Sequence, residues 1–343
     1  MKYVLLTTTL VASLLFTKCG SQTGTEEGKK VDMTTVNPLP FSKMIEPNEL
    51  KDMLYTYASD DFEGRETGEP GQKKAVKYIR DFYIDHDISP AMDSTYFQTV
   101  PASFFKAGSG IKASENVAAF IKGSTKPNEI VVVSAHLDHI GISADGQINN
   151  GADDDGSGTV AVMQIAESFK EAVDKGYRPQ RSILFLHVTG EEKGLYGSRY
   201  YVEHPIFDLD STVADLNIDM IGRQDEAHKD NENYVYLIGS DMLSHGLNQL
   251  SESVNKKYMQ MDLDYKYDDP NDPNRFYYRS DHYNFAKNGV PIIFYFNGVH
   301  ADYHKPTDTP DKINYPLLAK RARLVFLTAW QLANQEERIM VDK

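Results

Sequence analysis

The chain has 343 residues with ordinary apolar and charged fractions for a soluble globular protein, 41% and 25%, enough for one large α/β domain or two small ones. Its formal net charge of −14 argues against non-specific binding to nucleic acid or to anionic membrane surfaces. One cysteine, Cys19, rules out an intrachain disulfide, so the fold is held by its core, by metal, or by both. The first residues are Met1-Lys2, an apolar run from Val4 to Phe16, and Thr17-Lys18-Cys19. A basic start, a hydrophobic core and a cysteine at the cleavage point read as an export signal over 1–18. It resembles a lipoprotein signal, although Lys18 replaces the small residue usual before the cysteine. The expected location is the cell envelope, periplasm or outer surface, with a lipid anchor at Cys19 as the one membrane contact.

Residues 19–45, rich in Gly, Ser, Thr, Glu and Lys, read as a solvated tether, and the folded domain as 46–343. Pro47 opens a helix in which Leu50, Met53, Leu54 and Tyr57 share a face, and 61–65 is a turn. A second helix spans 71–83. Strands are expected at 96–100 and 116–121 as a hairpin or meander, and at 130–135, 182–188, 213–220, 234–238 and 290–296. Helices are expected at 158–169, 243–254, 282–287 and 316–334. Strands alternating with helices give an α/β fold: a central mixed, mostly parallel twisted sheet with helices on both faces. Sites in such sheets form beyond the carboxyl ends of the strands.

The informative residues fall at those ends. The apolar run 131–135 stops at His136-Leu137-Asp138-His139, and Gly151-Ala152-Asp153-Asp154-Asp155-Gly156-Ser157-Gly158 follows at a helix start. Glu191 and Glu192 follow the next strand, Asp219 ends the third, and Tyr303-His304 follows the last. Histidines and carboxylates together suit zinc. Five candidates exceed the three protein ligands of one catalytic zinc, so they point to two zinc ions sharing a bridging carboxylate. Asp154, in the middle of its triplet, is the natural bridge. His136 and Asp219 complete one metal, Glu192 and His304 the other. Two such metals hold and acidify a water and polarise a carbonyl. Glu191, beside ligand Glu192, fits as the proton acceptor. Asp138 is placed to accept the second ring proton of His136. His139 and His300 compete as ligands, and Asp153 and Asp155 compete with Asp154. His86, His187, His204, His228, His245 and His282 read as structural or exposed.

These motifs, with Gly190-Glu191-Glu192, Asn217-Ile218-Asp219-Met220-Ile221-Gly222 and Tyr303-His304-Lys305-Pro306-Thr307-Asp308-Thr309, resemble the co-catalytic zinc aminopeptidases. That family includes bacterial leucyl aminopeptidases, glutamate carboxypeptidase, glutaminyl cyclase and the transferrin receptor ectodomain. The resemblance covers roughly 47 to 343. It implies one zinc-peptidase domain, selects Asp154 from its triplet, and implies a cis peptide after it and a role for Tyr303 in stabilising the oxyanion. The implied activity is an exported zinc aminopeptidase acting on N-terminal residues of peptide substrates. Cyclisation of N-terminal glutamine, carboxypeptidase activity and a non-enzymatic binding role are the alternatives on the same scaffold. Arg223 reads equally as holding a carboxylate or as pairing with an aspartate. The acidic, aromatic stretch 262–279 is expected to reach over the site and shape substrate choice, with Asp268, Asp269 and Asp272 as a solvated loop rather than a calcium site.

Overall fold

The computed structural model describes residues 31–343. The expected signal at 1–18, and Cys19 with its lipid anchor, lie outside the described residues. Nine strands form one mixed sheet: β1 (Ser89–Pro90), β2 (Phe97–Val100), β3 (Ser114–Ile121), β4 (Lys126–His136), β5 (Arg181–Val188), β6 (Thr212–Ile218), β7 (Tyr234–Ile238), β8 (Asp262–Asp264) and β9 (Ile292–Phe296). Their order is β1-β3-β5-β4-β6-β9-β7-β8, with β2 also on β3. The four central strands β5, β4, β6 and β9 are parallel. Antiparallel pairings of β3 with β5 and of β7 with β9 flank them.

The central strands are unbroken apolar runs because both faces are covered. Every residue of β5 and β6 is buried. Along β4, Val131, Val133 and Ala135 face the larger core, and Ile130 and Val132 the smaller one on the other face. Among the described residues the α-helices are α1 (Leu39–Ser42), α2 (Pro47–Tyr57), α3 (Pro70–Asp85), α4 (Gly158–Asp174), α5 (Tyr196–Glu203), α6 (His245–Val254), α7 (His282–Ala286) and α8 (Tyr315–Asn334). The α2, α3, α4, α6 and α8 helices supply the larger core. Tyr201 of α5 and Phe285 of α7 pack together on the smaller one. Among the described residues no helix is long and apolar enough to cross a membrane.

A short helix and a short strand are among the elements that go beyond the sequence expectations. The short helix α5 has only Tyr196, Gly197, Ser198, Tyr201 and Val202 buried, a stripe too brief to stand out. The strand β8 arises within the stretch expected to be loop, by pairing in parallel with β7.

The tether boundary at 45 is also corrected. Met33, Phe41 and Ile45 are buried in the larger core, and Phe41 stacks on Trp330 with ring centroids 5.5 Å apart. Composition missed this because a few apolar anchors fix a polar segment. Phe41→Ala should therefore destabilise the folded body by about 3–5 kcal/mol, read by chemical denaturation. A loss within experimental error would mean that this segment does not belong to it.

Candidate metal centre

Since β4, β5, β6 and β9 run parallel, their carboxyl ends meet along one edge. His136 is the last residue of β4, Asp219 follows β6 directly, and Glu191 and Glu192 lie just past β5. Tyr303 and His304 sit in the loop after β9. Asp154 lies in the turn that opens α4, with a cis peptide to Asp155.

The Asp154 carboxylate lies between two histidines. Its Oδ1 is 3.2 Å from His136 Nε2 and its Oδ2 is 3.1 Å from His304 Nε2. His136 Nε2 is also 3.6 Å from Asp219 Oδ1, and His304 Nε2 is 3.1 Å from Glu192 Oε2. The five expected ligands thus fall into two groups that share Asp154. Burial alone would raise the Asp154 pKa, but His139, His136 and His304 hold it well below the usual carboxylate range. Burial likewise opposes a charge on His304, yet the facing carboxylates of Asp154 and Glu192 push its pKa up to about 10.

Although these atoms approach within ion-pair distance, several lack hydrogen-bond geometry. His136 Nε2, Asp154 Oδ2 and Glu192 Oε1 are buried without a hydrogen-bond partner. Buried donors and acceptors are normally satisfied. Nitrogen and carboxylate atoms converging unsatisfied on shared points suit borderline cations such as zinc, so the residues fit the metals that the sequence implies.

The three aspartates separate by what they touch. Asp153 Oδ1 accepts from the Gly222 amide at 2.6 Å, and its Oδ2 faces His300 Nε2 at 3.1 Å. Asp155 Oδ1 accepts from the amides of Gly158 at 2.9 Å and Met220 at 3.1 Å. Glycine leaves room for both carboxylates: a Cβ on Gly222 would lie 2.9 Å from Asp153 Oδ1, and one on Gly158 would crowd the Asp155 carboxylate. The Asp154 carboxylate accepts from no backbone amide among the described residues. The turn itself is held by Asp308, which accepts from the amides of Asp153 and Asp154 at 3.0 and 3.1 Å. Nothing in the sequence pattern of 303–309 marks Asp308 for this part.

Of the competing histidines, His300 is taken up by Asp153. His139 is fully buried, with Nδ1 2.9 Å from Glu192 Oε1 and 3.7 Å from Asp154 Oδ2. It joins the second group from the inner side, while His304 approaches from the open side. The donors also group as His136, Asp155, Asp219 and as His139, Asp154, Glu192, each set within 4.8 Å.

Asp138 does not orient His136 through its carboxylate. His136 Nδ1 lies 3.0 Å from the Asp138 backbone carbonyl and 3.9 Å from Oδ1. The carboxylate instead accepts from the Thr67 hydroxyl at 2.5 Å and the Glu191 amide at 3.2 Å. Two residues along a strand end, the carbonyl reaches the ring before the side chain does. Asp138 therefore positions Glu191. Asp215 accepts from the Ser134 hydroxyl at 2.7 Å, and burial pushes its carboxyl up to about 8. Arg223 pairs with Asp302 at 3.1 Å. In 262–279, Asp268 accepts from the Gly239 amide and Asp272 from the Phe276 amide, so both cap the backbone.

A pocket opens beside the cluster. Asp154, Glu191, Asp219 and Tyr303 line it, with apolar walls of Met220, Phe276, Phe294, Phe296 and Val299 and with Arg279. Tyr303 stacks on His304 with ring centroids 3.9 Å apart.

The profile of peptidase family M28 matches residues 116–329, which contain every residue of the cluster. The chain belongs to peptidase family M28. Among M28 relatives, it is 31% identical over 190 residues to a probable leucine aminopeptidase 2 of Aspergillus oryzae, an alignment covering 54% of this chain and 34% of that protein. It spans about half or less of the length of the first curated relatives that it matches. Its fold matches an aminopeptidase from Aneurinibacillus sp. strain AM-1 with a TM-score of 0.65 at 15% identity, covering 90% of this chain and 98% of that one. It also matches Porphyromonas gingivalis glutaminyl cyclase with a TM-score of 0.63 at 17% identity, covering 82% and 97%.

Asp154→Asn should sharply lower bound zinc, read by elemental analysis. Asp153→Asn should leave zinc content intact while destabilising the fold by about 1–3 kcal/mol, because the amide keeps one oxygen for the Gly222 N–H but loses the charge that faces His300. Equal zinc loss in both variants would defeat this division of roles.

Proposed function

We propose that this protein is a two-zinc aminopeptidase that removes N-terminal residues from peptides. The carrying observation is the Asp154 carboxylate, one oxygen on His136 and the other on His304, with Glu191 lining the same pocket. Zinc held by His136, Asp154 and Asp219, and by Asp154, Glu192 and His304, would polarise the substrate carbonyl and lower the pKa of the attacking water.

The chain's own groups supply the rest. Burial, together with the charges of Glu192 and Asp219, raises the Glu191 pKa well above the usual carboxylate range despite His136. Its carboxylate takes the proton from the water and passes it to the leaving amine nitrogen. Burial and the charges of Asp154, Asp219 and Glu192 keep the Tyr303 phenol protonated, so it donates to the oxyanion that develops on the carbonyl. Asp138 fixes Glu191 through its backbone amide. The pocket's apolar walls suit the carbon framework of a substrate residue next to the cleaved bond.

The named activity of the Aspergillus relative supports the aminopeptidase reading. The fold of the glutaminyl cyclase supports a second reading, cyclisation of N-terminal glutamine. A complete set of ligands for two ions favours peptide hydrolysis.

Glu191→Gln should lower turnover of aminoacyl-anilides by roughly 10²–10⁴-fold with zinc content unchanged. Normal turnover in that variant would remove Glu191 from the role. Ring closure of glutaminyl peptides without hydrolysis of anilides would favour the cyclase reading.

Export and lipidation at Cys19 form the second part of the proposal, supported by the basic start, the apolar run and the cysteine. Metabolic labelling with palmitate should mark the wild type and not Cys19→Ala. Equal labelling of both would defeat the lipid anchor.

A further inference from the structure

The stretch 262–279 reaches the pocket through two residues, Phe276 and Arg279. Phe276 is buried in an aromatic cluster with Tyr236, Tyr267 and Phe296. Arg279 is exposed, and its guanidinium lies over the Phe276 ring at 5.0 Å from the centroid. A ring beneath a guanidinium holds its plane while leaving the donor edges open. Arg279 has no carboxylate partner among the described residues, in contrast to Arg223, which is bound by Asp302.

Its surroundings give the arginine a use. Of the residues lining the pocket, Arg279 is the one with a cationic side chain, and the others are three acids, a tyrosine and apolar groups. Once cations balance Asp154 and Asp219, Arg279 is the remaining positive charge beside the reacting bond. A guanidinium presents paired N–H donors that match both oxygens of a carboxylate. Within a cleft with apolar walls, such a pair is screened less than on an open surface.

We propose that Arg279 is a specificity-determining residue that pairs with a substrate carboxylate next to the cleaved bond. This rests on the peptidase reading of the same pocket. The carboxylate has two possible sources: the side chain of an acidic N-terminal residue, or the C-terminal carboxylate of a dipeptide.

Two matched pairs of substrates test the proposal on the zinc-loaded protein. Glutamyl- and glutaminyl-p-nitroanilide differ only in a side-chain carboxylate against an amide. Leucyl-leucine and leucyl-leucinamide differ only at the C-terminus. Within at least one pair, the wild type should favour the carboxylate by kcat/KM, and Arg279→Gln should lower that preference about tenfold, equivalent to about 1.4 kcal/mol. Arg279→Lys should retain part of it, because charge persists without the fork. The pair that responds identifies the source. Unchanged ratios in both pairs would overturn the proposal, whatever the absolute rates. Failure of the wild type to hydrolyse any of the four substrates would instead count against the peptidase reading, so the two failures are distinguishable.

Discussion

The buried negative charge at the carboxyl edge of the sheet constrains everything around it. Asp154 and Asp219 share His136, and Asp154 and Glu192 share His304, in a site from which most water is excluded. Like charges so placed repel strongly unless cations offset them. Histidines alone provide part of that offset, and the unsatisfied atoms of His136, Asp154 and Glu192 show that hydrogen bonds do not provide the rest. The arrangement is therefore intelligible as a cradle for cations.

A carboxylate that faces two metal sites cannot also be spent on the backbone. The triplet resolves this by division of labour. Asp153 ties the turn to Gly222, Asp155 ties it to Met220 and Gly158, and Asp308 carries the amides of Asp153 and Asp154. The turn that opens α4 is thereby fastened to the end of β6 and to the loop after β9. Asp154 alone is left free to face inward. The same economy governs Glu191, whose amide is anchored by Asp138 while its carboxylate lines the pocket.

Much of this was legible in the sequence. The unbroken apolar runs of β4, β5, β6 and β9 marked strands covered on both faces, and the residues just past them marked the site. Those signals are local: strand burial is written in successive residues, and a strand end is where the pattern stops. The ligand candidates followed because histidines and carboxylates rarely collect at such ends without a reason. Less legible were elements whose existence depends on a partner. The three-residue strand β8 exists because β7 offers an edge, and residues 32–45 are ordered because Phe41 finds Trp330.

The sequence by itself determined which residue types stand at which strand ends, and hence that a cation site of histidines and carboxylates was available. Only the tertiary structure decided which of them face each other. Spacing did not distinguish His139 from His300, since both lie near ligands in the chain. Folding places His139 against Glu192 and gives His300 to Asp153. Nor did it reveal that the Asp138 carboxylate serves Glu191 and not His136, or that Arg279 reaches the pocket across Phe276. The physical reason is common to all three cases. A side chain's partner is chosen by distances between segments far apart in the chain, and those distances exist only once the sheet has formed.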